Sequence, residues 1–259
     1  FDGGTATLNI TGTANQTLTG GGSATAGYCT NLNINKTLGT LTLASTIRTN
    51  RNWTWTAGTV DAGTSTVVFA GTLGIIGSMS FYNLTFYPPG GYTSTIASGT
   101  TLTVPSAGTL NLTDGYIDTG NIDAYGNINL ASTFDGGTAT LNITGTANQT
   151  LTGGGSATAG DFLALNINKT AGTLTLASTI RTGRNWTYTA GTIDAGTSTV
   201  VFAIRSLTIT GSHTLNNVTF YSAVTYTITS GTTLTVPSAG TLTLTDGYID
   251  TGNIDAYGN

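Results

Sequence analysis

Residues 1–27, FDGGTATLNITGTANQTLTGGGSATAG, decide the fold, because the same 27 letters return unchanged at residues 134–160. Self-similarity at a fixed period indicates a repeat architecture, in which each unit buries its apolar face against its neighbours. The period, 134 − 1 = 133 residues, divides the chain into repeat 1 (1–133) and repeat 2 (134–259), which ends before its last few residues. Because no linker separates them, we expect one continuous rod in which the second copy supplies the same coil again.

Apolar and polar residues alternate inside the repeated stretch. In TATLNIT, Leu8 and Ile10 fall on one face of a strand, while Thr7 and Asn9 fall on the other. The segment TLTV at 101–104 follows the same pattern. The alternation predicts an aliphatic core surrounded by outward rows of Thr and Asn.

The composition favours strands. Charged residues make up 7% of the chain and Glu is absent, whereas an ordinary soluble domain is about a quarter charged. Thr, Val, Ile and aromatic residues suit strands, and 37 glycines supply turns. Short strands at intervals of roughly 17 to 25 residues predict an all-β, parallel β-solenoid (β-helix) of about a dozen coils. The alternative is a string of immunoglobulin-like β-sandwich repeats, which need about 100 residues each.

Asp-x-Gly recurs between the strands and predicts turns, in which Asp bonds to the nearby backbone and Gly takes a positive φ. The predicted turn residues are Asp2, Asp61, Asp118, Asp135, Asp194 and Asp250.

Two groups of aromatic residues receive different interpretations. Trp53 and Trp55, with Trp186 in repeat 2, align with the leucines of TLNL at 109–112, so we expect them in the core. Rings in the divergent windows, 71–98 and 204–230, are the candidate surface contacts. They are Tyr82, Tyr87 and Tyr221.

The few basic residues receive structural roles. Lys36 and Lys169 each end an LNINK segment, and we expect both in solvent. Four arginines recur in pairs and are expected to cap strand edges or to pair with Asp. They are Arg48 and Arg51, repeated as Arg181 and Arg184.

Catalysis finds little support, because general acid–base chemistry needs clustered titratable groups. The only His is His213, and the best acidic group is the trio Asp114, Asp118 and Asp123. Calcium is coordinated by six to eight oxygens, several of them from carboxylates, so we expect neither a metal nor another cofactor.

The remaining features exclude other classes of protein. A lone Cys29 makes no disulfide framework. The net charge of −4 argues against nucleic acid, and no long apolar run predicts a membrane span.

The segments NLNINKTLGTLTLAST, NWTWTAGTVDAGTSTVVFAG, FYNLTF and GTLTLTDGYIDTGNIDAYGN resemble the strand repeats of large bacterial surface proteins. These are the repetitive adhesin-like or filamentous-haemagglutinin-like β-helix exoproteins. The resemblance implies an extracellular, cell-surface stalk or fibre, and it implies no catalytic residues.

We therefore expect a structural segment of an extracellular fibre or adhesin stalk, not an enzyme. Its main partner would be itself, because uncapped coil edges favour end-to-end stacking, either in a longer tandem chain or between copies. One alternative is an ice-binding protein that uses ladders of Thr. Another is adhesion to surface glycans or a host surface through exposed aromatic residues.

Overall fold

The chain is an all-β, parallel β-solenoid of about 12 turns in a computed structural model that describes residues 1–23 and 25–259. Every registered pair of strands in the described residues is parallel, for example Thr7–Gly12 beside residues 31–36. Immunoglobulin-like sandwiches are built from antiparallel sheets, so that alternative is wrong.

The strands are short and numerous. They are β1 (Thr7–Gly12), β2 (Gln16–Thr19), β3 (Asn31–Ala44), β4 (Thr46–Thr49), β5 (Trp53–Asp61), β6 (Thr66–Phe69), β7 (Leu73–Ile76), β8 (Met79–Ser80), β9 (Asn83–Phe86), β10 (Thr93–Ile96), β11 (Thr101–Val104), β12 (Thr109–Leu112), β13 (Gly115–Asp118), β14 (Asn121–Ala124), β15 (Asn127–Leu130), β16 (Phe134–Gly136), β17 (Thr140–Gly145), β18 (Gln149–Thr152), β19 (Asp161–Phe162), β20 (Ala164–Ala177), β21 (Thr179–Thr182), β22 (Trp186–Asp194), β23 (Thr199–Phe202), β24 (Leu207–Thr210), β25 (His213–Thr214), β26 (Asn217–Phe220), β27 (Thr225–Ile228), β28 (Thr233–Val236), β29 (Leu242–Leu244), β30 (Tyr248–Asp250) and β31 (Asn253–Ala256).

The chain visits three faces in a fixed order on each turn. Face 1 is the path β1-β3-β5-β7-β10-β13-β16-β19-β21-β23-β26-β29. Face 2 carries β2, β8, β11, β14, β17, β20, β22, β24, β27 and β30. Face 3 carries β4, β6, β9, β12, β15 and β18, then β25, β28 and β31. The long strands β3, β5, β20 and β22 bend across two faces.

Aliphatic side chains form columns along the rod, as the alternation predicts. On face 2, Leu102, Ile122, Leu141 and Leu165 occupy one register position on successive coils, and all are at most 1% exposed. Burying one such side chain contributes roughly 1.5–3 kcal/mol. The coils also differ in length, since neighbouring partners lie between 17 and 26 residues apart.

Repeat 2 does not place its coils on the same faces as repeat 1. Strand β1 lies on face 1, whereas its sequence counterpart β17 lies on face 2. Strand β4 lies on face 3, whereas its counterpart β21 lies on face 1. Between β1 and β17 the path contains six full turns, from β1 to β16, and then one further face. Identical residues therefore reappear one third of a turn further round the rod.

Candidate functional site

The first coil exposes residues that the interior of the rod buries. Phe1 is 95% exposed, whereas its counterpart Phe134 is 1% exposed. Leu8 is 39% exposed and its counterpart Leu141 is fully buried. The difference follows from the neighbouring coil alone, because the local sequence is identical.

The last coils show the same contrast. Leu244 is 62% exposed while its counterpart Leu112 is buried, and Ile249 is 39% exposed while Ile117 is buried. Strands at the edge of a sheet present unpaired backbone N–H and C=O groups. Both ends of the described rod therefore combine apolar side chains with open backbone edges.

A cavity of about 400 Å³ opens at the first coil. Its walls include Leu8, Leu18, Ile47, Tyr28 and Cys29. Burial raises the pKa of the Cys29 thiol, so this group is a poor nucleophile at neutral pH. The cavity is the point at which the core columns reach the end of the rod.

The two repeats meet at a continuous joint, in which residues 115–130 pair with residues 134–152. Gly115 registers with Phe134 on face 1, and Ile122 registers with Leu141 on face 2. On face 3, β15 pairs with β18. All three faces cross the joint, so the core of repeat 1 continues into repeat 2 through paired strands.

The six predicted turn aspartates take several positions. Asp61 and Asp194 accept bonds from the backbone N–H groups of Gly63 and Gly196, at 2.9 and 3.0 Å. Asp118 instead accepts from the backbone N–H and the hydroxyl of Thr138 on the next coil, both at 3.0 Å.

The other three predicted turn residues lie in strands or bridges. Asp2 forms a parallel bridge with Tyr28, and Asp135 pairs with Asp161. Asp250 ends β30 and is exposed.

The predicted core aromatics differ in depth. Trp53 and Trp186 are fully buried, and Trp53 packs edge-on against Phe69 with ring centroids 5.8 Å apart. Trp55 is only partly buried and packs at the margin of the core. Its indole N–H donates to the carbonyl of Gly58 at 3.1 Å, and this bond holds the ring over a bend in β5.

The rings predicted as surface contacts do not dominate the surface. Tyr82, Tyr87 and Tyr221 are half-buried. More exposed rings lie elsewhere, among them Tyr116 at 38% and Tyr125 at 36%. Alternation in GYID, which puts Ile117 inward, was a signal that could have found Tyr116.

The two lysines do not lie in solvent, and that prediction is wrong. Lys36 is 1% exposed and Lys169 is 2% exposed. The ammonium of Lys36 donates to the carbonyl of Ala14 at 2.8 Å and to Oε1 of Gln16 at 2.7 Å. The coil bends at the end of LNINK, so the side chain turns inward and satisfies polar groups of the preceding coil. Burial lowers the pKa of Lys169, which makes the equivalent contacts.

Several charged residues collect on face 1 near the joint. Arg181 forms an ion pair with Asp161 and donates to the carbonyl of Ala157 at 3.0 Å. Burial raises the pKa of Asp161, although Arg181 opposes that shift. Burial, assisted by Asp114, also raises the pKa of Asp135.

In repeat 1 the residue at the position of Asp161 is Tyr28, and Arg48 lies over its ring at 4.1 Å. The second pair of arginines, Arg51 and Arg184, is partly buried, with each Nε lacking a hydrogen-bond partner.

The acidic trio is divided between different contacts. Asp114 accepts from the N–H of Gly115 at 2.8 Å, and Asp123 accepts from Asn142 at 2.7 Å on face 2. In the part of the chain that the structure describes, no group of three or more His, Cys, Asp or Glu side chains is arranged to hold a metal ion. The described residues also include no helix that is long and apolar enough to cross a membrane.

Comparison with known proteins gives no family for this chain. No protein-family model matches it, and neither a curated protein nor a solved structure is significantly similar to it. The functional argument therefore depends on the rod itself.

Proposed function

We propose that this chain is a structural segment of an extracellular cell-surface fibre or adhesin stalk, in which coils continue end to end through open β-coil edges. The observation that carries the proposal is the internal joint. There, identical sequence that is exposed on the first coil becomes fully buried once another coil covers it.

The joint also supplies a register for stacking between copies. Inside the chain, Asp123 lies opposite Asn142. Their sequence counterparts at the two ends are Asp255 and Asn9. Stacking in the same register would cover Leu8 with Ile254, as Leu141 is covered by Ile122. Head-to-tail contacts of this kind generate open fibres.

The surface composition supports a passive structural role. Asn and Thr recur along the outward rows and are linked by bonds such as Asn33 Nδ2 to Asn9 Oδ1 at 2.9 Å. Thr does not continue alone along a row: on face 2, Thr103 is followed by Asp123 and then Asn142. This mixture favours the fibre over an ice-binding ladder of Thr.

Sedimentation velocity and negative-stain electron microscopy of the whole chain test the proposal. We expect association that rises with protein concentration, and rods longer than a single chain. Leu8→Arg places a charge on the open end and should prevent the association. Thr95→Arg, at an exposed position in the middle of face 1, is the matched control and should not.

A wild-type chain that stays a single short rod at every concentration would contradict stacking between copies. Equal effects of Leu8→Arg and Thr95→Arg would also contradict it, because the contact would then not involve the coil ends.

A further inference from the structure

A groove of about 370 Å³ crosses the joint on face 2 and is built by both repeats. It is referred to below as the joint groove. The residues that line it on four successive coils are Asp123 and Tyr125, then Asn142 and Thr144, then Asn166 and Asn168, and finally Thr189.

Hydrogen bonds fix one wall of the joint groove. Asn142 Nδ2 donates to Asp123 Oδ1 at 2.7 Å, and Asn166 Nδ2 donates to Asn142 Oδ1 at 3.0 Å. A carboxamide has two N–H donors and an oxygen with two lone pairs. Asn142 therefore keeps one N–H and one lone pair for a ligand, in an orientation that the row has already set.

An aromatic ring forms part of the other wall. Tyr125 is 36% exposed, and its ring packs on the backbone of Gly145. A Cβ at Gly145 would lie 2.7 Å from Cδ1 of that ring, and the residue has a φ of +94°. Glycine is thus required both by the backbone and by the ring. In repeat 1 the counterpart Gly12 has nothing within 4 Å of the same position.

We propose that the joint groove binds a neutral, hydroxyl-rich saccharide. Each sugar hydroxyl is both a donor and an acceptor, which matches the free N–H and lone pair that Asn142 retains. The apolar C–H face of a sugar ring packs on an aromatic face such as that of Tyr125. The described lining contains one carboxylate, that of Asp123, and no basic group, so acidic sugars are disfavoured. Four coils span about 14 Å along the rod, which favours an extended oligosaccharide over a single ring.

The joint groove is complete only where two repeats meet. Asn9 and Asn33 are the counterparts of Asn142 and Asn166, but no described coil covers them with an Asp and a Tyr. At the other end, Tyr257 is the counterpart of Tyr125 and is 69% exposed, with no further coil beneath it. In any longer array, each new groove would lie one face further round the rod. This inference is independent of the fibre proposal, because it concerns a joint within one chain.

The test uses the whole chain carrying Leu8→Arg, because stacked copies would place Asp255 and Tyr257 against Asn9 and build the same groove between chains. A neutral-glycan array comes first, and titration calorimetry with the strongest oligosaccharide follows in the same background. We expect Tyr125→Ala to weaken binding at least about tenfold, as the loss of one good contact would. Tyr257→Ala removes the same residue from an incomplete groove and should leave the affinity unchanged. Circular dichroism melting of both variants checks that the rod is intact.

A second pair of variants separates the joint groove from other surfaces. Asn142→Ala should weaken binding, whereas Asn9→Ala should not. The inference is overturned if no neutral glycan binds, if the members of either pair behave alike, or if Tyr82→Ala abolishes binding while Tyr125→Ala does not.

Discussion

Residues 1–27 and 134–160 have the same sequence but occupy different environments. In the first copy Gln16 is exposed, while its counterpart Gln149 is 2% exposed and fully bonded. The two copies also face different directions, since β1 lies on face 1 and β17 on face 2. In a solenoid, therefore, the coil that covers a residue determines whether its side chain is buried. The summed lengths of the preceding coils determine which face of the rod the residue lies on. The variants below test this in order of expected effect.

The largest difference is expected for phenylalanine. Phe134→Ala should lower the free energy of unfolding by about 3–5 kcal/mol, because it removes a fully packed ring. Phe1→Ala should change the free energy of unfolding by less than about 0.5 kcal/mol, since that ring is exposed. Urea denaturation followed by circular dichroism measures both, in a Leu8→Arg background that keeps copies from stacking over the first coil. Equal losses would mean that residues 1–27 are covered in solution.

Gln149 and its exposed counterpart Gln16 test the same contrast with a polar side chain. Gln149 donates to the carbonyls of Ala124 and Gly126 at 2.9 and 3.0 Å and accepts from Lys169. Gln149→Ala removes the donor to both buried carbonyls and leaves Lys169 with Ala147 as its remaining partner, so it should cost about 1–3 kcal/mol. Gln16→Ala removes only an exposed partner of Lys36 and should cost less. If Gln16→Ala lowered the free energy of unfolding more than Gln149→Ala in the same denaturation assay, the difference in burial between the two glutamines would be contradicted.

The core aromatic clusters of the two repeats differ at the position of Met79, among others. The indole of Trp53 donates to Sδ of Met79 at 3.1 Å, whereas His213 occupies that position in repeat 2 and leaves Trp186 Nε1 without a partner. His213→Met should therefore stabilise the protein by about 1 kcal/mol.

The pH dependence of stability checks the same site. Burial lowers the pKa of His213 from 6.5, so the unfolded state takes up the proton first. Wild-type stability should then fall as pH drops below 6.5, and His213→Met should remove that component. An unchanged pH profile would show that His213 is not buried.

The smallest effect is expected at the arginine pairs. Asp161→Tyr copies repeat 1 into repeat 2 and exchanges an ion pair for a ring under Arg181. The stability at neutral pH should change by less than about 1 kcal/mol.

The free energy of unfolding measured at acidic pH distinguishes the Asp161 ion pair from the ring of the Asp161→Tyr variant. Because burial raises the pKa of Asp161 from 3.8, its ionisation costs stability as pH rises through the folded value. The Asp161→Tyr variant should lack this loss. A variant with the same titration as wild type would assign the loss to another carboxyl group.

The sequence predicted the parallel solenoid and the inward aliphatic residues, because strand alternation depends on local pattern alone. It did not predict the one-face advance of each repeat. Coil lengths range from 17 to 26 residues, and only their sum determines where the next copy begins.

Side chains at bends escaped prediction for a related reason. Lys36 follows a polar Asn, so the sequence predicts that its side chain is exposed to solvent. The bend instead turns its ammonium toward the carbonyl of Ala14. The joint groove was missed because its two halves, Tyr125 and Asn142, belong to different repeats and become neighbours only through strand register.

Cross-linking at the stacking register tests the central claim most directly. Asn9→Cys and Asp255→Cys are combined in a Cys29→Ser background and oxidised. If copies stack in the register of the internal joint, the two Cα atoms lie about 4.8 Å apart, within the range of a disulfide. Asn9→Cys with Asp123→Cys is the matched control, because Asp123 already faces Asn142 inside the rod. The account predicts a ladder of disulfide-linked chains for the first pair only; no ladder, or equal ladders for both pairs, would contradict it.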